Sequence, residues 1–235
     1  MIKAVVFDLY GTLIDIRTDE YDPQVYSTLS RYLQYHGVSI PPERLKDAYF
    51  SEIRHCISQS LEAYPEVDIY DVFYAILNRY GNKKYPRIII KYTATLFRSL
   101  TIKYFAAVPM IYDVLTHLKE RHKLAIISDA QWVFTNPELA MLDLLRFFPV
   151  RILSSRFGFK KPDARLFERA MTRLRVTPEE TVYIGDNPRK DLVGAKKSGI
   201  RFFLFRTECK PCDGFVADRC FNDYSQLPRI LAELK

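Results

Sequence analysis

The chain has 235 residues, of which 48% are hydrophobic and 27% are charged. A chain of this length can bury a large core, and its composition is typical of globular proteins rather than disordered or fibrous ones. Asp8 interrupts the amino-terminal apolar stretch too early for a signal peptide, and no apolar run is long enough to cross a bilayer. We therefore expect a soluble, cytoplasmic protein with no membrane partner.

The formal net charge is +7. The basic residues are scattered along the sequence rather than gathered in one block, which favours a solvated surface over a nucleic-acid site. The same positive balance would suit a small phosphorylated substrate.

The first predicted element is a buried strand at Ile2–Phe7, an apolar run that ends at the turn-forming sequence Asp8-Leu-Tyr-Gly-Thr12. Gly11 would allow the chain to turn sharply after this strand. The strand is expected to lie inside a sheet, because it is apolar on both faces.

From about Thr18 to Tyr104 the pattern changes to helices, with no convincing strand. Apolar side chains at helical spacing predict four helices, around residues 25–33, 45–53 and 69–80 and from near Pro86. Asp68 and Gly81 bracket the third helix as its predicted caps. We interpret this stretch as an insert that moves as a lid, with hinges near Ile14–Thr18 and Phe105–Pro109.

After the insert, strands and helices alternate. Strands are predicted at Leu124–Ile127 and Thr181–Ile184, with weaker ones at Val150–Leu153 and Arg201–Phe205. Asp163 is placed to cap a helix over residues 166–174, Thr177–Glu180 resembles a capping box, and Asn187-Pro188 would open a helix that Gly199 ends. The alternation indicates an α/β fold with a parallel sheet. The predicted core comprises residues 1–17 and 105–235, and the all-helical insert comprises residues 18–104.

Chemically reactive side chains follow the strands at their carboxyl ends or lie in nearby loops, where ligands bind in open α/β sheets. They are Asp8, Ser128, Asp129, Lys161, Asp186 and Asp191. A carboxylate can attack phosphorus and form an aspartyl-phosphate. Because both reactants are anionic, a lysine and a divalent cation are needed to offset their repulsion. Asp8 and Asp186 could supply the carboxylates that Mg²⁺ prefers.

The order of these motifs resembles that of the haloacid dehalogenase superfamily. The motifs are Asp8-x-x-Gly-Thr12, an apolar strand ending in Ser128, Lys161-Pro162, and Gly185-Asp-x-x-x-x-Asp191. The resemblance covers almost the whole chain. It implies a Rossmann-like parallel sheet core with an inserted all-helical cap subdomain. It also implies a magnesium-dependent hydrolase, foremost a phosphatase that acts on a small phosphorylated metabolite.

The resemblance implies a role for each motif residue around the metal. Asp8 would be the nucleophile and a magnesium ligand, with the main-chain carbonyl of Tyr10 as a second ligand. Asp186 would complete the metal site, and Asp191 would be a ligand or the partner of one. Thr12 would brace the loop.

The remaining motif residues would face the substrate. Ser128 would bind the transferring group, and Lys161 would neutralise Asp8 and the substrate oxygens. Gly11 and Asp129 would lie beside the substrate. Many relatives carry Asn at the position of Asp129, and an inward-pointing carboxylate there would repel phosphate.

Tyr10 is a further departure from the phosphatase pattern. Phosphatases of the superfamily usually have at this position an Asp that protonates the leaving oxygen, and its absence would slow hydrolysis. A tyrosine here is similar to the 2-haloacid dehalogenases, so a dehalogenase-like or phosphonatase-like hydrolase remains an alternative. Such an enzyme would need a cationic pocket in the insert, with Arg31, Arg44 and Arg54 as candidates. A non-catalytic protein that binds an anion or a partner is a second alternative.

The cysteines offer a separate possibility. Without a secretory signal we expect Cys209, Cys212 and Cys220 to be reduced rather than disulfide-bonded. These three thiols could also hold zinc if a fourth ligand came from elsewhere, but no nearby histidine completes the set.

Overall fold

The structure is a computed structural model that describes residues 1–234. The strands are β1 Ala4–Phe7, β2 Ile14–Thr18, β3 Ile102–Ala107, β4 Lys123–Ser128, β5 Val150–Leu153, β6 Thr181–Gly185, β7 Arg201–Phe205 and β8 Arg219–Phe221. The α-helices are α1 Pro23–Tyr35, α2 Pro42–Gln59, α3 Ile69–Tyr80, α4 Arg87–Thr101, α5 Ile111–Lys119, α6 Trp132–Met141, α7 Ala164–Leu174, α8 Val193–Lys197 and α9 Leu227–Ala232. None of these helices has both the length and the apolar character needed to cross a membrane.

Six strands form a parallel sheet in the order β5-β4-β1-β6-β7-β8. Successive side chains of a strand point to opposite faces, so Val5 and Phe7 of β1 pack into one buried cluster while Ala4 and Val6 pack into another. Helices cover both faces, as predicted for strands that are apolar throughout. The chain reverses its direction of winding at β1 and β6, which places the ends of these two strands at the topological switch point.

The predicted strands and helices agree with the structure at most positions. The two weaker strand predictions correspond to β5 and β7. Asp163 caps α7 as predicted, since it accepts a hydrogen bond from the amide of Arg165 at 3.0 Å. The capping box at Thr177–Glu180 is present but opens only one turn of 3₁₀-helix. The short strand β8 was not predicted, because its three residues carry too little pattern to recognise.

The prediction that no strand lies between Thr18 and Tyr104 was wrong at both ends. β2 and β3 pair as an antiparallel ribbon, with Thr18 opposite Ile102 and Ile16 opposite Phe105. The ribbon is half exposed, so it lacks the apolar run by which the buried strands were recognised. It joins the sheet to the helical insert, here defined as α1 to α4.

The insert has its own apolar core, which α6 completes from the side of the sheet with Val133 and Phe134. Asp68 caps α3 by accepting a hydrogen bond from the amide of Tyr70 at 2.9 Å, as the sequence predicts. The other carboxylate oxygen of Asp68, Oδ2, accepts a hydrogen bond from Trp132 Nε1 of α6 at 2.7 Å. One capping residue therefore both starts a helix of the insert and ties it to α6.

The segment between α2 and α3 crosses onto the core. The amide of Glu66 donates to the carbonyl of Gly158 at 2.9 Å, and the amide of Lys160 donates to the carbonyl of Tyr64 at 2.9 Å. The hydroxyl of Ser154, which follows β5, donates to Glu66 Oε2 at 2.6 Å. The insert thus contacts the core through this segment as well as through the ribbon.

The expectation of reduced cysteines was wrong for one pair. Cys209 and Cys220 form a disulfide with their Cα atoms 6.1 Å apart, while Cys212 is free. Cys220 lies in β8 opposite Leu204 of β7, and Cys209 lies in the connection that follows β7, so the return of the chain brings the two cysteines together. With two thiols joined, these cysteines do not offer the three thiolates of the zinc hypothesis.

Candidate active site

The turn after β1 brings Asp8 and Asp186 together. Gly11 adopts φ = +84°, and a Cβ at this position would lie 2.4 Å from Asp186 Oδ2. Glycine is therefore required both by the left-handed backbone and by the close approach of a carboxylate. Thr12, which is fully buried, hydrogen-bonds Asp186 Oδ1 through its hydroxyl at 3.2 Å.

Lys161 lies at the centre of a buried ionic network. Its ammonium group donates to Asp8 Oδ1 at 2.7 Å, to Asp191 Oδ1 at 2.6 Å and to the hydroxyl of Tyr183 at 3.1 Å. Burial by itself lowers the pKa of Lys161, but the carboxylates of Asp191 and Asp8 outweigh it and hold the pKa above its ordinary value. The lysine therefore remains a cation inside the protein.

Asp191 is held by the loop that follows β6. A Cβ on Gly185 would lie 2.5 Å from Asp191 Oδ2, so this glycine makes room for the carboxylate. The amide of Asn187 donates to the same oxygen at 3.0 Å. Burial raises the pKa of Asp191 to about 7, with Lys161 opposing the rise and Asp8 adding to it.

The acidic residues fit a divalent cation. One carboxylate oxygen from each of Asp8, Asp186 and Asp191 lies within 4.8 Å of the others. Burial, followed by the charge of Asp8, raises the pKa of Asp186, which means that the ionised pair is unfavourable without a compensating charge. Hard oxygen ligands at this spacing are those that Mg²⁺ uses in proteins.

A cavity of about 150 Å³ opens beside these groups. Its walls bring together most of the residues singled out in the sequence: Asp8, Tyr10, Ser128, Asp129, Lys161 and Asp186, joined by Asn187 and Lys190. Thr12 and Asp191 lie behind the wall, where they contact Asp186 and Lys161. A larger groove of about 880 Å³ between the insert and α6 contains none of the catalytic candidates.

Tyr10 occupies the side of the cavity nearest the insert. Its hydroxyl donates to Glu138 Oε2 of α6, and Arg98 of α4 donates from Nε to Glu138 Oε1 at 2.6 Å. Burial, reinforced by the negative charge of Glu138, raises the pKa of Tyr10 well above its ordinary value. The phenol is therefore a neutral group whose proton is already committed to a carboxylate.

The arginines proposed for a cationic pocket are not on the cavity. Arg31, Arg44 and Arg54 are exposed on the insert helices. The cation that the insert brings nearest to Tyr10 is instead Arg98, whose guanidinium carbon lies 5.5 Å from the centre of the Tyr10 ring. Arg98 lies on a helix face, where no sequence pattern marked it as part of a site.

Three more contributors were missed. The hydroxyl of Tyr183 accepts from Lys161, and its single proton lies between the carbonyl of Ile127 at 2.9 Å and Asp191 Oδ1 at 3.0 Å. The hydroxyl of Thr207 donates to the carbonyl of Asp186 at 2.6 Å. Glu138 lies within an apolar helix. A polar residue inside an apolar element, such as Tyr183 in β6, could have been recognised from the sequence, because a buried polar group needs a hydrogen-bond partner.

The family follows from comparison of the whole sequence with known proteins. The sequence profile of the haloacid dehalogenase-like hydrolases matches residues 5–205, which include every catalytic candidate described above. The chain belongs to this family. We therefore interpret the cavity, with its carboxylates and buried lysine, as that of a haloacid dehalogenase-like hydrolase.

Individual members of this hydrolase family resemble the chain over nearly its full length. The glyceraldehyde 3-phosphate phosphatase of Methanothermobacter thermautotrophicus is 26% identical, over 98% of this chain and 100% of that protein. The protein of the same name from Pyrococcus furiosus is 27% identical, over 100% of this chain and 93% of that protein.

Solved structures of the family share the fold. A 2-haloacid dehalogenase from Pseudomonas syringae pv. Tomato has a TM-score of 0.69 at 23% identity, and the match covers all of both chains. A HAD phosphatase from Thermococcus onnurineus has a TM-score of 0.62 at 23% identity, covering 98% of both chains. These likenesses extend to the helical insert as well as the sheet.

Proposed function

We propose that this hydrolase is a magnesium-dependent phosphatase that removes phosphate from a small phosphorylated metabolite through an aspartyl-phosphate on Asp8. The observation that carries the proposal is the Asp8 carboxylate held at 2.7 Å by the buried ammonium of Lys161, with two more carboxylates within 4.8 Å. A nucleophile, a fixed positive charge and a set of hard oxygen ligands are what phosphoryl transfer requires.

In the first chemical step, an oxygen of Asp8 attacks phosphorus, a phosphorus–oxygen bond forms, and the bond to the leaving oxygen breaks, so that this oxygen departs as an anion and takes its proton from water. Lys161 faces the nucleophile and offsets the charge that gathers on the phosphoryl oxygens. Ser128 is placed to donate a hydrogen bond to one of those oxygens. In the second step, water attacks the aspartyl-phosphate, which releases inorganic phosphate and restores the carboxylate.

Asp8, Asp186 and the main-chain carbonyl of Tyr10 would hold magnesium, with Asp191 as a further ligand or as the partner that fixes Lys161. The bound ion would supply positive charge beside the phosphoryl oxygens. Thr12 keeps Asp186 in place through its hydroxyl. Gly11 and Gly185 leave the space that these carboxylates occupy.

A small substrate is favoured by the size of the cavity. Its volume of about 150 Å³ lies below the roughly 300–1,000 Å³ typical of pockets for drug-sized ligands, which favours a phosphoryl group on a short carbon chain. The phosphatases of glyceraldehyde 3-phosphate named above are consistent with a substrate of that size. We propose that residues 18–104 act as the cap that selects it and that opens on the β2–β3 ribbon.

The dehalogenase alternative would need a free cation beside Tyr10. The cation nearest to Tyr10 is Arg98, which is paired with Glu138 and so is not free to bind the carboxylate of a 2-haloacid. The chain also keeps the acidic loop after β6 that suits a metal.

The test is an assay of the purified chain against p-nitrophenyl phosphate, glyceraldehyde 3-phosphate and a 2-haloacid, with magnesium or with a chelator. We expect phosphate release that requires magnesium and that is lost in Asp8→Asn. Halide release without phosphate release would overturn the proposal, and no turnover of any substrate would favour a non-catalytic binding protein.

A further inference from the structure

Asp129 is a carboxylate on the cavity wall that does not belong to the acidic cluster of Asp8, Asp186 and Asp191. Its Oδ1 accepts a hydrogen bond from the amide of Lys161 at 2.8 Å, which fixes the backbone of the lysine that contacts Asp8. Its Oδ2 is buried and has no directed hydrogen bond within residues 1–234. The ammonium group of Lys190 lies 3.1 Å from that oxygen.

Without Lys190, four carboxylates around the cavity would face a single ammonium group; with it, two carboxylates remain for a divalent cation to offset. The anionic groups are the four carboxylates of Asp8, Asp129, Asp186 and Asp191, and the ammonium groups are those of Lys161 and Lys190. Lys161 is already shared between Asp8 and Asp191 at 2.7 and 2.6 Å. Lys190 is therefore the cation left to offset Asp129, and its half-exposed side chain lies on the cavity wall where a phosphate would enter.

We propose that Asp129 and Lys190 form a coupled pair in which Asp129 positions Lys161 and Lys190 cancels the repulsion between Asp129 and the substrate phosphate. This inference rests on the proposed phosphatase function. Under it, Asp129 is a positioning residue and Lys190 sets the affinity for a doubly charged phosphate. The site needs Lys190 because residue 129 is charged.

The test is a double-mutant cycle on KM and kcat for p-nitrophenyl phosphate at saturating magnesium. Lys190→Met should raise KM by about tenfold, the lower end of what a hydrogen bond to a charged group contributes, with a smaller change in kcat. In the Asp129→Asn background, where the amide oxygen can still accept from Lys161, the same lysine substitution should raise KM by less than about twofold.

Lys196→Met is the matched control. Lys196 pairs with Asp218, which also accepts a hydrogen bond from a backbone amide, that of Phe202 at 2.7 Å, but this pair is not on the cavity. Its substitution should leave KM unchanged, and circular dichroism melts of all variants report any loss of folding. An equal rise of KM in both backgrounds, or no rise in Lys190→Met, would overturn the coupled pair.

A calorimetric titration with inorganic phosphate and magnesium separates this inference from the proposed function. If phosphate affinity follows the same pattern across the four variants but no ester is hydrolysed, the phosphatase proposal fails and the pair stands. If esters are hydrolysed but the lysine substitution has equal effects in both backgrounds, the pair alone fails. Absence of both phosphate binding and turnover in the unsubstituted chain would overturn both.

Discussion

The two sides of the cavity are built differently. On the lysine side, Lys161 joins Asp8, Tyr183 and Asp191, which all belong to the sheet or to the loops at its edge. On the tyrosine side, Tyr10 meets Glu138 of α6 and Arg98 of the insert. The first side carries charges that would act on phosphorus under the proposed function, whereas the second carries a neutral phenol and a salt bridge that joins core to insert. The two sides of the cavity therefore differ in charge and in whether the insert contributes to them.

The largest effect is expected on the lysine side. Asp8→Asn should lower kcat for p-nitrophenyl phosphate by about 10⁴-fold or more, because the nucleophile is lost while the fold is kept. Asp15→Asn is the matched control, since Asp15 pairs with Arg206 at the surface and such pairs contribute little. Comparable turnover in the two variants would show that Asp8 is not the nucleophile.

The second largest effect is expected for the proposed metal ligands. Asp186→Ala should remove the heat of magnesium binding in titration calorimetry and lower kcat by about 10²-fold, comparable to losing one group that stabilises the transition state. The physical reason is that Asp8 and Asp191 alone leave too few anionic oxygens to replace the water around the ion. Magnesium binding that persists unchanged in this variant would move the metal site elsewhere.

On the tyrosine side, the expected effect depends on the leaving group. Because the proton of Tyr10 is committed to Glu138, alkyl phosphates should be cleaved about 10²-fold more slowly than nitrophenyl phosphate, whose leaving group needs no acid. Tyr10→Asp should narrow this ratio by raising the alkyl rate, and Tyr10→Phe should leave the ratio unchanged. Equal rates for alkyl and aryl esters in the unsubstituted chain would mean that another group donates the proton.

The smallest effect on turnover, but a clear one on stability, is expected for Arg98. Arg98→Met leaves Glu138 buried without its cation, which should cost about 3 kcal/mol of the free energy of unfolding. Adding Glu138→Gln should recover most of that loss, because the amide can still accept from Tyr10. Arg79→Met, which breaks the surface pair with Glu52, should cost less than about 1 kcal/mol in the same denaturant titration.

The difference between the two sides also explains what the sequence could predict. On the lysine side, Asp8 directly follows β1, and Lys161 and Asp191 lie in the loops after β5 and β6, so their position at the edge of the sheet follows from the fold class. The partners on the tyrosine side come from positions 40 and 128 residues apart and lie on helix faces. No local pattern connects them, and their meeting depends on how the insert packs against α6.

The same reasoning applies to the fold. The buried strands and the capped helices had periodicity or turn residues that identify them, whereas the half-exposed ribbon, the short β8 and the Cys209–Cys220 pair had neither. Tyr183 differs from these, because its hydroxyl in an apolar strand was a signal, but β6 alone does not indicate which buried charge that hydroxyl contacts.

The bridge from the insert to the core has a consequence for how the enzyme can evolve. Tyr64 and Glu66 bond to Gly158 and Lys160, the residues that lead directly into Lys161. A change in this segment that alters how a substrate fits would therefore also alter the backbone that supports Lys161. Changes to this segment that broaden the substrate range should therefore lower kcat for every substrate, whereas changes on the exposed helix faces should not.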